Sequence, residues 1–220
     1  MASPHLAIID PAVRIPELDC YNQIALKSQL KTSYHLPALF GLDSLISIQD
    51  SISAFIILGS SSSVNDRLPW QPELENWLMP QLISGKPTLG LCYGHQMLAY
   101  LFGGTIGFLF PNKQKLQGFR KILFSKNPLW NNQELQGEIY VSHKEAVLDC
   151  PKSMQIVASS TDVAIDGLAH KNLPIWSFQG HPESTPIFLK NMGDQHNVDP
   201  QAFDFGGKLI DYFLTHVQRS

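Results

Sequence analysis

The sequence has little net charge of either sign. Its 16 Lys+Arg residues nearly balance its 19 Asp+Glu residues, which leaves a formal net charge of -3. Proteins that bind nucleic acid through the phosphate backbone carry a strongly basic face, so we expect no nucleic-acid partner. The hydrophobic content of 44% is enough for a core, which excludes a disordered chain.

Long hydrophobic runs and cysteine-rich patterns are also missing. No apolar stretch reaches the ~20 residues that cross a bilayer, and residues 1–10 lack the basic and apolar regions of a signal peptide. Three cysteines do not make a disulfide framework. We therefore expect a cytoplasmic protein with reduced thiols and no membrane partner.

Common cofactor and metal motifs are absent as well. The sequence has no P-loop and no G-x-G-x-x-G fingerprint, and no pair of its eight histidines has zinc-ligand spacing. We therefore predict no cofactor and no metal. Because the chain has no internal repeat and no long linker, we interpret residues 1–220 as a single domain.

The first half of the chain alternates apolar strand candidates with helical patterns. Short buried strands are predicted at 6–9, 55–58 and 88–91, whereas residues 31–50 show no clear pattern. Later strand candidates include 163–165 and 175–178. This order predicts an α/β fold: a mainly parallel, doubly wound, flavodoxin-like sheet with helices on both faces and antiparallel edge strands.

One strand candidate leads into the segment Gly90-Leu91-Cys92-Tyr93-Gly94-His95-Gln96. A cysteine between a strand and a helix, with a glycine two residues away on each side, is typical of a nucleophile elbow. The following helix N-terminus favours a negative sulfur, and the Tyr93 N–H is a natural oxyanion donor. Cys92 is therefore the candidate nucleophile, although a buried structural cysteine in a Gly-rich turn is an alternative.

A second segment, Phe178-Gln179-Gly180-His181-Pro182-Glu183, follows another strand candidate. Residues two apart on an extended backbone project to the same side, so Glu183 can orient His181 while the other ring nitrogen faces Cys92. A surface turn is the alternative for this tripeptide alone. Together the two segments predict a Cys-His-Glu catalytic triad.

The segments GLCYGHQ (90–96) and FQGHPE (178–183) resemble the two signature blocks of the class I (triad) glutamine amidotransferases. The similarity extends to residues 55–64, which resemble the family's strand and oxyanion loop, and to blocks at 86–89, 128–130 and 141–143. The QGHPE form is similar to free-standing members, which include relatives of the GMP synthase glutaminase domains and γ-glutamyl peptidases.

The resemblance implies hydrolysis of the γ-glutamyl amide of glutamine through a thioester on Cys92. It further implies oxyanion donors in the backbone of Ser60 and Tyr93. Family positions that line the glutamine pocket fall on these residues: Gly59, Gln96, Ser142 and His143.

The sequence departs from the family pattern at several positions. Ser60-Ser61 replaces Gly-Pro in the oxyanion loop, Leu116 replaces a glutamate, and Lys144-Glu145 replaces Gly-Asp. Gln96 has an alternative role as a bridge on the elbow helix, and Ser142 and His143 have one as a strand-end turn.

Three functions remain open from the sequence. The first is glutamine hydrolysis, either free-standing or for a separate ammonia-accepting synthase. The second is a γ-glutamyl peptidase acting on glutathione-like or other γ-glutamyl compounds. The third is a non-catalytic regulatory module that retains the fold. The first two imply a small-molecule substrate and release of glutamate.

Overall fold

The computed structural model describes residues 5–194 and 198–219. Its strands, numbered along the chain, are β1 (His5–Ile9), β2 (Lys31–His35), β3 (Ile52–Ile57), β4 (Thr88–Leu91), β5 (Thr105–Phe108), β6 (Leu116–Phe124), β7 (Leu135–His143), β8 (Glu145–Asp149), β9 (Met154–Ser159), β10 (Gly167–His170) and β11 (Ile175–Phe178). Its α-helices are α1 (Leu18–Lys27), α2 (Pro37–Phe40), α3 (Asp43–Ile46), α4 (Trp70–Ile83), α5 (Tyr93–Leu101), α6 (Pro186–Asn191) and α7 (Asp204–Arg219).

The main sheet has nine strands in the order β2-β1-β3-β4-β11-β10-β9-β6-β7. The first five of these are mutually parallel, and the remaining pairings are antiparallel. Strands β5 and β8 form a separate two-stranded antiparallel sheet. The predicted mainly parallel sheet with antiparallel strands added at one edge is therefore confirmed.

Side chains that alternate along the central strands divide the core between the two faces of the sheet. On β1, Leu6 and Ile8 pack into the core that includes Phe213 of α7, whereas Ala7 and Ile9 pack into the core that includes Leu78 of α4. Because successive strand residues point to opposite faces, a strand that is apolar throughout requires helices on both sides. The doubly wound arrangement follows from these runs.

Two parts of the sequence behave differently from the strand expectations. A strand is expected at residues 163–165, but Ser160 N donates to Val163 O at 2.9 Å, so this segment closes a local turn. Val163 and Ile165 are buried without a strand partner, and β10 begins at Gly167. The stretch 31–50, which shows no clear pattern in the sequence, contains the edge strand β2 and the short helices α2 and α3.

The ends of the parallel strands place the candidate residues. Strands β3, β4 and β11 are adjacent and parallel, so Gly59, Cys92 and His181, which follow them, emerge at the same edge. Across the part of the chain that the structure describes, no helix has both the length and the hydropathy needed to cross a membrane.

Candidate active site

Cys92 occupies the sharp turn between β4 and α5. Its backbone has φ 50° and ψ -99°, a left-handed conformation that a residue with a side chain adopts only when the surroundings enforce it. A Cβ on Gly90 would lie 2.6 Å from Gly94 O, and one on Gly94 would lie 2.4 Å from Ile57 O. The two glycines therefore allow the close backbone crossing that forms the predicted elbow.

His181 is fixed at the end of β11 by its backbone and by its ring. Its N–H donates to Tyr140 O at 2.8 Å, and its Nδ1 lies 2.9 Å from Glu183 Oε1. The ring packs against Phe188, with centroids 4.6 Å apart. Both His181 and Glu183 are inaccessible to bulk water, at 3% and 1% exposure, so their pairing is not screened by solvent.

The electrostatics of His181 favour the imidazolium. Burial alone would lower the pKa of His181, but the charges of Cys92 and Glu183, together with the hydrogen bond to Glu183, raise it well above its usual value. Since Nδ1 faces Glu183, the ring nitrogen that remains for Cys92 is Nε2. The structure thus brings together the three predicted residues Cys92, His181 and Glu183.

Gly59 lies against the same group of side chains. A Cβ at this position would lie 2.9 Å from His181 Cε1, 3.4 Å from Glu17 Oε1 and 3.7 Å from Cys92 Cβ. A side chain there would displace the imidazole, so glycine preserves the space in front of the thiol.

The loop that follows Gly59 is held by its serine side chains. Ser60 Oγ donates to Pro11 O at 2.8 Å and accepts from Ser62 N at 3.2 Å. The backbone N–H groups of Ser60 and Tyr93 have no acceptor among residues 5–194 and 198–219. For Tyr93 this follows from its place in the first turn of α5, where N–H groups lack helical partners. Both N–H groups can therefore donate to a ligand.

A glutamine that was not identified from the sequence supports this loop and the elbow. Gln71 Nε2 donates to Ser63 O at 2.8 Å and to Tyr93 Oη at 2.9 Å. Gln71 is fully buried on α4, and nothing in its sequence surroundings marks it. It links the two segments that supply the candidate N–H donors.

A second glutamine contacts the candidate nucleophile directly. Gln179 Nε2 lies 3.8 Å from Cys92 Sγ, and Gln179 is fully buried. An amide N–H directed at sulfur stabilises the thiolate form. Gln179 belongs to the FQGHPE segment, so its position one residue beyond β11 was the available signal.

The predicted pocket residues have different surroundings. Gln96 Nε2 donates to Glu145 O at 2.8 Å and to Gln179 Oε1 at 3.1 Å. This amide nitrogen therefore links α5 to β8 and to the residue that follows β11, which is the alternative role considered from the sequence. Ser142 Oγ and His143 Nε2 are buried and have no hydrogen-bond partner among the described residues. Each of these two atoms has unused hydrogen-bonding capacity in the protein interior.

His143 is held in its neutral form. Burial lowers the pKa of His143 to about 4, with nearby cationic groups acting in the same direction. Its Nδ1 lies 2.9 Å from Glu145 O, an acceptor, so Nδ1 carries the proton and Nε2 is an acceptor.

A third carboxyl group, that of Glu17, lies beside His181 and Glu183. One ligand atom from each of these three residues falls within 4.8 Å of the other two. Burial and the charge of Glu183 raise the pKa of Glu17 to about 8. The spacing would admit a cation, but His181 and Glu183 already bind each other, and we assign no metal to it. Glu17 was not identified from the sequence.

Comparison with known proteins places the chain in a family. The family model described as "Glutamine amidotransferase class-I" matches residues 18–191. A Francisella tularensis subsp. tularensis protein named "GMP synthase [glutamine-hydrolyzing]" is 32% identical over 130 residues, covering 59% of this chain and 24% of that protein. A Phocaeicola vulgatus protein of the same name is 32% identical over 149 residues, covering 66% of this chain and 26% of that protein. The chain thus spans about a quarter of the length of these curated relatives.

Solved structures share the fold at low sequence identity. A glutamine amidotransferase from Thermotoga maritima superposes with a TM-score of 0.74 at 17% identity and covers 100% of both chains. A glutamine amido transferase from Methylobacillus flagellatus gives a TM-score of 0.75 at 16% identity, covering 100% of this chain and 95% of that one. The expected α/β architecture and the family resemblance are both confirmed, and the chain belongs to the class-I glutamine amidotransferase family.

Proposed function

We propose that this chain hydrolyses the γ-carboxamide of glutamine through a γ-glutamyl thioester on Cys92. The observation that carries the proposal is the position of His181, whose Nδ1 is hydrogen-bonded to Glu183 Oε1 and whose ring lies beside Cys92 next to Gly59. This arrangement provides a nucleophile, a proton carrier and an orienting acid in a site closed to bulk water.

In the first half-reaction, the Cys92 thiolate attacks the γ-carbonyl carbon. The N–H groups of Ser60 and Tyr93 donate to the oxyanion. The C–N bond breaks as His181 Nε2 donates its proton to the leaving nitrogen, which departs as ammonia. The γ-glutamyl group remains as a thioester.

In the second half-reaction, the now neutral His181 accepts a proton from a water molecule that attacks the thioester. The C–S bond breaks, glutamate leaves, and Cys92 returns as a thiolate beside the imidazolium. Glu183 holds the ring orientation and stabilises its positive charge in both steps. One glutamine and one water give one glutamate and one ammonium ion, because the ammonia takes up the proton that the new carboxyl group releases.

The names of the relatives support the transfer of the released ammonia to a synthase. Proteins named GMP synthase align with the chain over part of their length. We therefore include in the proposal a separate synthase that accepts the ammonia, with a free-standing glutaminase as the alternative.

One observation favours γ-glutamyl peptides as a second substrate class. A cleft of about 460 Å³ is lined by residues 110–112 and 114–116. Lys115 in this cleft is close enough to Cys92 for the two charges to interact. We infer that a leaving group larger than ammonia would extend from the thiol toward this cleft.

The test is glutamate release by the purified chain, from L-glutamine and from γ-glutamyl peptides including glutathione, with Cys92→Ala as the control. Release from glutamine that Cys92→Ala abolishes supports the glutaminase. Preferential release from peptides supports the second candidate. If wild type and Cys92→Ala release equally little from every substrate, including with a candidate synthase added, the catalytic proposal fails in favour of a non-catalytic module.

A further inference from the structure

Glu17 is placed beside the proposed triad by the end of the first strand. Asp10 directly follows β1, and its Oδ2 accepts the backbone N–H of Glu17 at 2.7 Å. Glu17 is also the residue immediately before α1, where its carbonyl accepts Tyr21 N at 3.0 Å. These two contacts fix the backbone of Glu17, and its Oε1 lies 3.4 Å from the point that a Cβ on Gly59 would occupy, next to His181 Cε1.

Asp10 and Glu17 differ in the hydrogen bonds that their oxygens receive. The Asp10 carboxyl accepts from Ala12 N, from Glu17 N and, in a short contact, from Tyr34 Oη. Burial raises the pKa of Asp10, whereas these three donors lower it and favour the ionised form. Within the described chain, Glu17 Oε2 is buried and has no hydrogen-bond partner, and the same is true of Glu183 Oε2.

Glu17 Oε2 and Glu183 Oε2 both lack a donor among the described residues and belong to residues that lie close together in space. A single proton on one of the two carboxyl groups explains both. If both groups were ionised, like charges within 4.8 Å would repel each other, with Glu183 buried and Glu17 partly buried. A proton on Glu17 removes this repulsion and supplies a donor for Glu183. The titratable groups that face Glu17 from the surrounding elements are Asp10, Cys20, Tyr34, Cys92, His181 and Glu183.

We propose that Glu17 is a neutral carboxylic acid that directs its proton at Glu183 and so positions the His181–Glu183 pair. This assignment rests on the roles proposed above for Cys92, His181 and Glu183. Glu17 acts through Glu183 and is a positioning residue, not a catalytic one. When Glu17 ionises, Glu183 loses its donor and the added negative charge stabilises the imidazolium. The two carboxylates then repel each other and the His181–Glu183 pair loses its alignment, so turnover falls at alkaline pH.

The protonation state is tested first, by a measurement that needs no substrate. The chain is labelled at the glutamate side-chain carboxyl carbons with ¹³C, and each signal is followed by NMR as the pH is raised. We expect one carboxyl group to titrate far above the others in wild type and to be absent from Glu17→Gln. The proposal is overturned if the signal lost in Glu17→Gln titrates in the ordinary glutamate range.

The positioning role is tested with three variants. Glu17→Leu removes the donor, and we expect kcat at neutral pH to fall about tenfold, the size of a lost hydrogen bond to a charged group. Glu17→Gln keeps an N–H donor that cannot ionise. It should recover most of the activity that Glu17→Leu loses and should lack the alkaline decline of wild type. Asp19→Asn, in the first turn of α1, removes a nearby negative charge and is the control for a general electrostatic effect; it should leave kcat and the alkaline decline unchanged.

The outcomes separate this inference from the proposed function. An alkaline decline that is the same in wild type and Glu17→Gln overturns the positioning role while glutamate release still supports the triad. If wild type releases no glutamate from any substrate, the proposed function fails and the NMR titration still decides the state of Glu17. Thermal unfolding of each variant shows whether a loss of activity reflects loss of fold. If Glu17 only stabilised the fold, its replacement would lower activity without changing the dependence of activity on pH.

Discussion

Replacing Gly59 by alanine tests whether activity depends on the present position of the His181 imidazole relative to the Cys92 thiol. The added Cβ would lie 2.9 Å from His181 Cε1, whereas carbon atoms in ordinary contact are about 3.5–4.0 Å apart. The ring would have to move by roughly 0.6 Å or more. Its bond to Glu183, its backbone bond to Tyr140 and its packing on Phe188 resist that movement.

The size of the effect follows from the alignment that proton transfer requires. A displacement near 1 Å costs about 100-fold, so we expect kcat/KM of Gly59→Ala to fall by about 10- to 100-fold. That loss corresponds to about 1.4–2.7 kcal/mol of transition-state stabilisation. The assay is glutamate release, with thermal unfolding measured in parallel.

Gly207→Ala is the matched control for the added methyl group. Gly207 lies in α7, and its Cβ would meet only the flexible end of Lys27, 3.2 Å away. This control should keep wild-type kinetics. Wild-type kcat/KM in a folded Gly59→Ala protein would refute the steric argument.

Three further predictions concern the thiol, a buried ion pair and pH. Gln179→Leu removes the amide 3.8 Å from Cys92 Sγ, and alkylation of Cys92 by iodoacetamide should slow by about tenfold; an unchanged rate would contradict the contact's importance. Asp166→Asn leaves the buried Arg120 without its partner and should destabilise the chain by about 3–5 kcal/mol in urea unfolding, whereas Arg120→Met with Asp166→Leu should recover most of this. His143 has a folded-state pKa of about 4, below its ordinary 6.5, so the unfolded state binds the extra proton between these values and stability falls as pH drops through that window. His143→Gln should reduce this loss by about 3 kcal/mol, and an identical pH dependence would show that His143 titrates normally.

Much of the fold could be predicted from short patterns. The apolar runs of β1, β3 and β4 are buried on both faces and carry a strong local signal, as does the Gly-x-Cys-x-Gly elbow. Strand β2 was missed because it is an edge strand whose residues are half exposed, so its composition is mixed. The strand predicted at 163–165 is absent, which shows that Val163 and Ile165 can be buried without pairing with another strand.

The candidate site could be predicted only where it lies within contiguous motifs. Cys92, His181 and Glu183 follow strand ends and sit in two recognisable segments. Gln71 and Glu17 reach the site from α4 and from the start of α1, and their partners are distant in sequence. Pairing of this kind depends on the folded geometry, and no local pattern encodes it.

The most direct test of the central claim is detection of the γ-glutamyl thioester on Cys92. Wild-type chain is mixed with L-glutamine, quenched in acid at short times and examined by intact-mass and peptide mass spectrometry. The proposed mechanism predicts a mass increase of one γ-glutamyl group on the Cys92 peptide, stronger in a variant such as Glu183→Gln in which thioester hydrolysis is slowed, and absent from Cys92→Ala. Glutamate formation at the wild-type rate by Cys92→Ala, or an adduct on Cys20 or Cys150 instead of Cys92, would contradict it.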